Sequence, residues 1–303
     1  MAEELAVGID KRDMRRSFER AAPGYDVAAA LQQEVARRMQ ERLDYVKLAP
    51  KRMLDAGCGT GFALPLLAQR YPAAELVALD IAQGMLQVAR AQTPWWQRKL
   101  PLLGGAQRRF VCGDLDALPL PVSSVDLLWS SLALQWSNDL SRTFGELYRV
   151  LAPGGLLMFS TFGPDTLKEL RQAFTGVDGH THVNRFVDMH DIGDQLAYAG
   201  FAAPVMDMEF ITLTYRDVQS LLRELKAIGA HNVTRGRSHG LMGKQRWQAM
   251  LARYETLRRD GHLPATFEII YGHAWVGEHK RPRLEDGQQV IQMQIGRRQA
   301  GLR

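Results

Sequence analysis

Short apolar runs bounded by turn-forming residues alternate, over the first half of the chain, with stretches whose apolar positions recur every three to four residues. "RMLDAG" (52–57) predicts a first strand and "GFALPLLAQRY" (61–71) a helix. "AELVALD" (74–80) predicts a second strand, followed by the helical "IAQGMLQVARAQ" (81–92). "RRFVCGD" (108–114) and "SVDLLWSS" (124–131) predict strands three and four. "DLSRTFGELYRVL" (139–151) predicts a helix stopped at "APGG", and "GLLMFSTF" (155–162) predicts strand five. Strands that alternate with helices across short connections predict an α/β fold with a doubly wound, mostly parallel sheet covered on both faces.

After Phe162 the rhythm changes. A helix and a polar loop, "TGVDGHTHVNRF", precede the helical "DIGDQLAYAGF", which Gly200 closes. Two long extended runs, 204–215 and 265–276, predict the last strands. A largely helical segment separates them, and two helices are predicted over 10–48. With no repeat and no linker, the expected organisation is one domain over 1–303. Its parts are an N-terminal helical lid (10–48), a core (49–162), an acceptor-side loop and helix (163–203), a basic helical insertion (216–263) and a C-terminal tail (277–303).

Composition narrows the class. Hydrophobic residues make up 46% and charged residues 23%, as in ordinary globular chains, and no run approaches a membrane-spanning length. The N-terminal stretch lacks the apolar core of a secretory signal, and Cys58 and Cys112 are too few for a disulfide framework or a cysteine-rich zinc site. A cytoplasmic protein is expected, with no membrane partner. The net charge of +5 is concentrated: residues 216–263 hold ten Lys/Arg against four Asp/Glu, which is +6 and leaves −1 elsewhere. An acidic partner suits that segment. Nucleic acid is not expected, because no interleaved aromatics offer a stacking platform.

The candidate chemistry lies in "MLDAGCGTG" (53–61), where a strand runs into Gly57, Gly59 and Gly61. Ligands of open α/β sheets bind beyond the carboxyl ends of the strands. A triphosphate-binding loop needs G-x-x-x-x-G-K-[ST], but Phe62 follows Gly61 here. A dinucleotide loop wants a third glycine where Phe62 stands, and that ring would crowd a pyrophosphate. Asp80, closing strand two, is nonetheless placed to accept hydrogen bonds from ribose hydroxyls. Asp114, closing strand three, is placed to accept one from an adenine amino group. The set predicts an adenosine site without a diphosphate, which points to S-adenosylmethionine.

"LDAGCGTG", "ALD", "GDLDALPLP" and "LAPGGLL" resemble the successive motifs of class I methyltransferases. The resemblance implies a Rossmann-like sheet whose last strand is antiparallel, and it places Asp55 at the methionine amino end. It adds Ile81, Met85, Leu115 and Ser131 to the donor-binding set. Outside those motifs, "SFERAAPGYD" (17–26), "SLALQW" (131–136), "HTHVNRF" (180–186) and "FEIIYGHAW" (267–275) resemble the malonyl-acyl-carrier-protein O-methyltransferases of biotin synthesis. That resemblance implies methylation of the free carboxylate of a malonyl thioester, on an acyl carrier protein or on coenzyme A. A carboxylate with a pKa near ~4 is already ionised at neutral pH, so no general base is needed. The residues expected to act are Tyr25 from the lid, Gln135 and Trp136 after strand four, and Arg185 as the cation for the carboxylate. Arg223, Lys226, Arg235 and Arg237 are expected to dock the acidic carrier. No metal is expected, His180, His182 and His190 being read as loop histidines. Two alternatives remain open. One is a related branch of mitochondrial assembly factors that hydroxylate an arginine; the other is a methyltransferase for another small carboxylic acid.

Overall fold

The computed structural model describes residues 8–93, 107–230, 232–235, 237, 240 and 242–277. Seven strands form one sheet in the order β3-β2-β1-β4-β5-β7-β6. They are β1 Arg52–Ala56, β2 Glu75–Asp80, β3 Arg108–Cys112, β4 Val125–Ser131, β5 Leu151–Phe162, β6 Phe201–Tyr215 and β7 Leu263–Val276. The first five strands pair in parallel, and β7 runs antiparallel to both neighbours. This is the predicted sheet. Its strand order reverses between β1 and β4, so the crevice expected of open α/β sheets opens beyond their carboxyl ends.

The helices are α1 Lys11–Ala21, α2 Tyr25–Ala28, α3 Ala30–Arg42, α4 Ala63–Arg70 and α5 Gln83–Gln92. After β4 come α6 Leu140–Val150, α7 Lys168–Phe174, α8 Met189–Tyr198, α9 Val218–Ala227 and α10 Lys244–Glu255. Aspartates start several of them. Asp10 accepts from the backbone N–H groups of Arg12 and Asp13, Asp139 from that of Arg142 and Asp217 from that of Ser220. Each satisfies a donor that the first helical turn leaves open. Gly200, at φ +95°, ends α8 as predicted.

Alternate residues of each strand face opposite layers, which explains why whole strands read as continuous apolar runs. Met53, Leu76 and Trp129 pack with α3 and α4, whereas Leu54, Val77 and Leu128 pack with α6 and α8. The strand at the open edge begins three residues earlier than its apolar run. Ala203 takes a φ of +47° in a bulge between Ala202 and Val205, which admits Pro204 into an edge strand. Strand five likewise begins at Leu151, which pairs with Val125 before a second bulge. Arg38 and Arg42 of α3 reach that edge and pair with Glu209 at 2.5 Å and Asp207 at 2.8 Å. The predicted tail beyond Gly277 lies outside the described residues.

The glycine of "YGHAW" has a packing reason. A Cβ on Gly272 would meet the ring of Phe159 on β5 and, at 2.9 Å, the sulfur of Met206 on β6. Overpacking of a filled core costs about 1–3 kcal/mol. Gly272→Ala is therefore expected to lower unfolding free energy by about that amount. Urea denaturation measures it, and an unchanged midpoint would show that Phe159 yields freely.

Candidate active site

The loop after β1 is bent tightly around Asp80. Gly59 donates its N–H to Asp80 Oδ2 at 2.9 Å, and Ala82 donates to Oδ1 at 2.8 Å. Gly57 has a φ of +81° and sits so close to Ala133 that a Cβ would collide with it. Gly61 does something else. A Cβ there would stand 2.9 Å from both Ala89 and Leu64, so this glycine lets α4 pack against α5. It is absent from the cavity linings described below, unlike Gly57 and Gly59.

Two cavities open over this loop, and a third adjoins them through shared lining residues. The first is lined by Gly57, Gly59, Asp80, Ile81, Met85, Asp114, Leu115 and Ser131, together with Tyr25, Gln135 and Trp136. The second lies over β1 and contains Asp55, Thr60, Trp129 and Ser131, again with Tyr25. The third is largely apolar, with Leu170, Val183, Phe186, Leu225 and Phe267 in its walls. Apart from Gly61, every residue expected to bind the donor lines the first or second cavity.

Electrostatics separates the two buried carboxyls. Burial, helped by the nearby Asp80 charge, raises the Asp55 pKa to about 8. Burial raises Asp80 to about 6, opposed by the two backbone donors. Tyr25 is pushed well above the usual phenol value by burial and by the charges of Asp80 and Asp26, so its hydroxyl keeps its proton. In the second cavity, two buried atoms of opposite sense lack a partner among the described residues: the acceptor Asp55 Oδ2 and the donor Trp129 Nε1. An ammonium beside Asp55 and a carboxylate beside Trp129 would satisfy both. The amino-acid end of S-adenosylmethionine carries that pair, so the residues present fit the donor.

The N-terminal segment closes these cavities, and much of how it does so is not legible in the sequence. Lys11 pairs with Asp114 at 2.8 Å and Asp116 at 2.9 Å, so Asp114 Oδ1 is already engaged within the protein. Glu19 accepts from the backbone of Gln83 and Gly84 at 2.8 and 2.7 Å, capping α5. Thr60 donates to Asp26, and Gln92 does so at 2.7 Å. Phe18 meets Trp136 edge-on, with ring centroids 5.2 Å apart. Ile9 exchanges two hydrogen bonds with Asn138, while Asp10 and Gly8 pair with the backbone of Val233 and Arg235. The segment is thus a strap tied to both the core and the insertion.

On the acceptor side, the "SLALQW" turn is held under strain. Leu132 takes a φ of +48°, its N–H donating to Ser160, and Gln135 Nε2 donates to the Leu132 carbonyl at 2.7 Å. Gln135 Oε1 accepts from Thr161 at 3.3 Å. Arg185 is exposed and outside the third cavity. It lines a polar groove that shares Gln135, Phe162, Asn184 and Phe186 with that cavity, and it forms no ion pair among the described residues. The basic set divides. Arg223 and Lys226 are exposed on α9, with Lys226 at the third cavity, and Arg235 is exposed. Arg237 has an internal task, pairing with Asp13 of α1. His182 lies against Asp178 at 2.8 Å and His190 against Asp188 at 2.9 Å. Among the described residues no group of three or more His, Cys, Asp or Glu could hold a metal ion, and no helix is long and apolar enough to cross a membrane.

The raised carboxyl pKa values have a sign that can be tested. Between the unfolded value of about 3.9 and the folded values, the folded chain keeps protons that the unfolded chain has lost. Their contribution to stability is full at low pH and is lost as pH rises through about 6 for Asp80 and about 8 for Asp55. Asp55→Asn removes the larger share. Its melting temperature relative to the unsubstituted protein, without donor, is expected to rise by several degrees from about pH 5 to about pH 8.5. A difference flat with pH would mean that Asp55 is ionised throughout.

The chain resembles known proteins in sequence and in fold. Residues 54–159 match the family model for a methyltransferase domain. Among solved structures, the YcgJ protein of Bacillus subtilis superposes with a TM-score of 0.56 at 17% identity, covering 81% of this chain and 99% of that one, which is a likeness of fold. The malonyl-acyl-carrier-protein O-methyltransferase of Gallionella capsiferriformans is 60% identical over 93% of this chain and 96% of its own length. That of Nitrosospira multiformis is 58% identical over 88% and 89%. With a glycine loop and buried carboxyls suited to an adenosyl amino acid, and with identity of that extent along nearly the whole length, the chain belongs to the S-adenosylmethionine-dependent malonyl-acyl-carrier-protein O-methyltransferase family.

Proposed function

We propose that this protein methylates the free carboxylate of a malonyl thioester carried by an acyl carrier protein, an early step of biotin synthesis in the cytoplasm. The observation that carries the reading is the junction of donor and acceptor cavities. Gln32, Gln135, Trp136, Phe162, Ile228 and Ala230 line both, so a donor in the first cavity faces directly into the third. A largely apolar third cavity suits an acyl chain on its flexible arm, and the names of the relatives supply the malonyl group and the carrier.

When bound, the donor supplies an electrophilic methyl group on sulfur. The protein has to orient, exclude water and hold protons in place. Asp80 is assigned to the ribose hydroxyls, Asp55 and Tyr25 to the amino-acid end, and Ile81, Met85, Leu115 and Asp114 to the adenine side. Because the malonyl carboxylate is ionised at neutral pH, no residue need remove a proton. The strap (within 10–48) serves as the lid that keeps water from the reacting pair, and Trp136 with Phe18 walls the junction. Negative charge on the carboxylate and positive charge on sulfur both vanish as the O–CH3 bond forms and the S–CH3 bond breaks. A strong, buried cation on the carboxylate would therefore stabilise the ground state more than the transition state. An exposed Arg185 at the neighbouring groove, rather than a buried ion pair, meets that condition. Arg223 and Lys226, exposed on α9, and Arg235, exposed elsewhere in the insertion, are assigned to the acidic carrier.

Incubation of the purified protein with labelled donor and malonyl, succinyl or acetyl carrier protein tests the reading. A base-labile methyl ester is expected on the malonyl form alone, and transfer to none of them would overturn it. In the same assay, the double variant Arg223→Glu with Arg235→Glu, both exposed and outside the cavity lining, is expected to lower kcat/KM for malonyl carrier protein about tenfold at low salt. Its rate on a small malonyl thioester without phosphates, such as malonyl-N-acetylcysteamine, should stay within about twofold, since only the docking surface is altered. Equal loss on both substrates would move these residues from docking to catalysis.

A further inference from the structure

Gln32 on α3 alone among the described residues lines all three cavities. A sulfonium centre has three arms, and each has its own place here. The ribose arm belongs with Asp80 in the first cavity, and the amino-acid arm belongs with Asp55 in the second. The methyl group has to face the third, where the acceptor enters. A side chain shared by all three spaces stands at their meeting point, beside the sulfur.

The Oε1 atom of Gln32 is buried and has no hydrogen-bond partner among the described residues. The helix around it is well anchored, with Leu31, Val35 and Ala36 in the core. Leaving a carbonyl oxygen buried and unpaired is costly, and such an atom in a native cavity calls for a ligand group that completes it. The other two unpaired atoms of the second cavity, Asp55 Oδ2 and Trp129 Nε1, are complementary to the ammonium and carboxylate of the donor. Gln32 Oε1 is left for the remaining polar feature of that molecule, its positive sulfur and the polarised C–H bonds around it.

We propose that Gln32 directs its carbonyl oxygen at the sulfonium centre, holding the methyl group toward the acceptor cavity and distinguishing the charged donor from its neutral product. The negative end of an amide dipole attracts the sulfonium charge in this water-poor space and accepts weak hydrogen bonds from the adjoining C–H groups. Once the methyl has left, the sulfur is an uncharged thioether with two lone pairs, and the same oxygen faces it without attraction. Gln32 therefore favours donor over product at the one point where the two molecules differ. The inference rests on the methyl-donor reading and not on the identity of the acceptor.

Calorimetric titration of S-adenosylmethionine and S-adenosylhomocysteine, with no acceptor present, tests it. In Gln32→Met, which keeps the length and removes the carbonyl, the dissociation constant for S-adenosylmethionine is expected to rise about five- to tenfold. That for S-adenosylhomocysteine should stay within about twofold. Gln32→Asn, which withdraws the oxygen by one methylene and stays polar, should show the same selective loss and guards against a folding defect in the first variant. Equal weakening of both ligands would make Gln32 a packing residue, and no change in either would remove it from the site. If the unsubstituted protein bound neither ligand, the donor reading itself would fail instead.

Discussion

Two carboxyl groups buried at the ends of adjacent strands set the terms for this molecule. Asp55 is 2% exposed and Asp80 9% exposed; burial raises the cost of ionising each, and the Asp80 charge adds to it for Asp55. An isolated buried carboxylate is unfavourable unless hydrogen bonds or a cation compensate it. For Asp80 the compensation is built in, as two backbone N–H groups delivered by the glycine loop and by the start of α5. Asp55 has no such complement for Oδ2. The site is therefore prepared for a ligand that brings its own positive charge, and a donor with an ammonium and a sulfonium brings two.

The rest of the architecture follows from keeping that place dry while leaving a way in. The strap crosses the cavities and is fixed by contacts along α1: Lys11 to Asp114 and Asp116, Glu19 to the first turn of α5, and Asp13 to Arg237 of the insertion. Gly229, at φ +72°, lets the insertion approach α1 closely, where a Cβ would lie 3.1 Å from the Phe18 ring. Donor-side closure and acceptor-side surface are thus parts of one connected layer. Movement of the strap would alter both the donor cavity and the face proposed to meet a carrier.

What the sequence made legible follows from distance along the chain. The sheet was readable because strands buried on both faces are continuous apolar runs. The donor loop was readable because Asp55, Gly57, Gly59 and Asp80 lie within two consecutive strand–loop units. Lys11 and Gln32 gave no such signal. Lys11 meets Asp114 across 103 residues, and nothing in "KRDMRR" marks which of its cations turns inward. Gln32 looks like any polar position of a helix until α3 is laid over the loop. The charge of the insertion is likewise not all available at its surface, because Arg237 is balanced by Asp13, an acid outside residues 216–263. Gly61 has the spacing of a ligand-facing glycine like its neighbours, and spacing does not show that Ala89 of a later helix presses against it.

In the proposed arrangement the sulfur of the donor sits where the three cavities meet, under the strap. A crystal structure with S-adenosylhomocysteine tests it most directly. The sulfur is expected within about 4 Å of Gln32, with the ammonium on Asp55, the ribose on Asp80 and the strap closed above. A thioether lying outside the strap, or an amino-acid end turned away from Asp55, would contradict it.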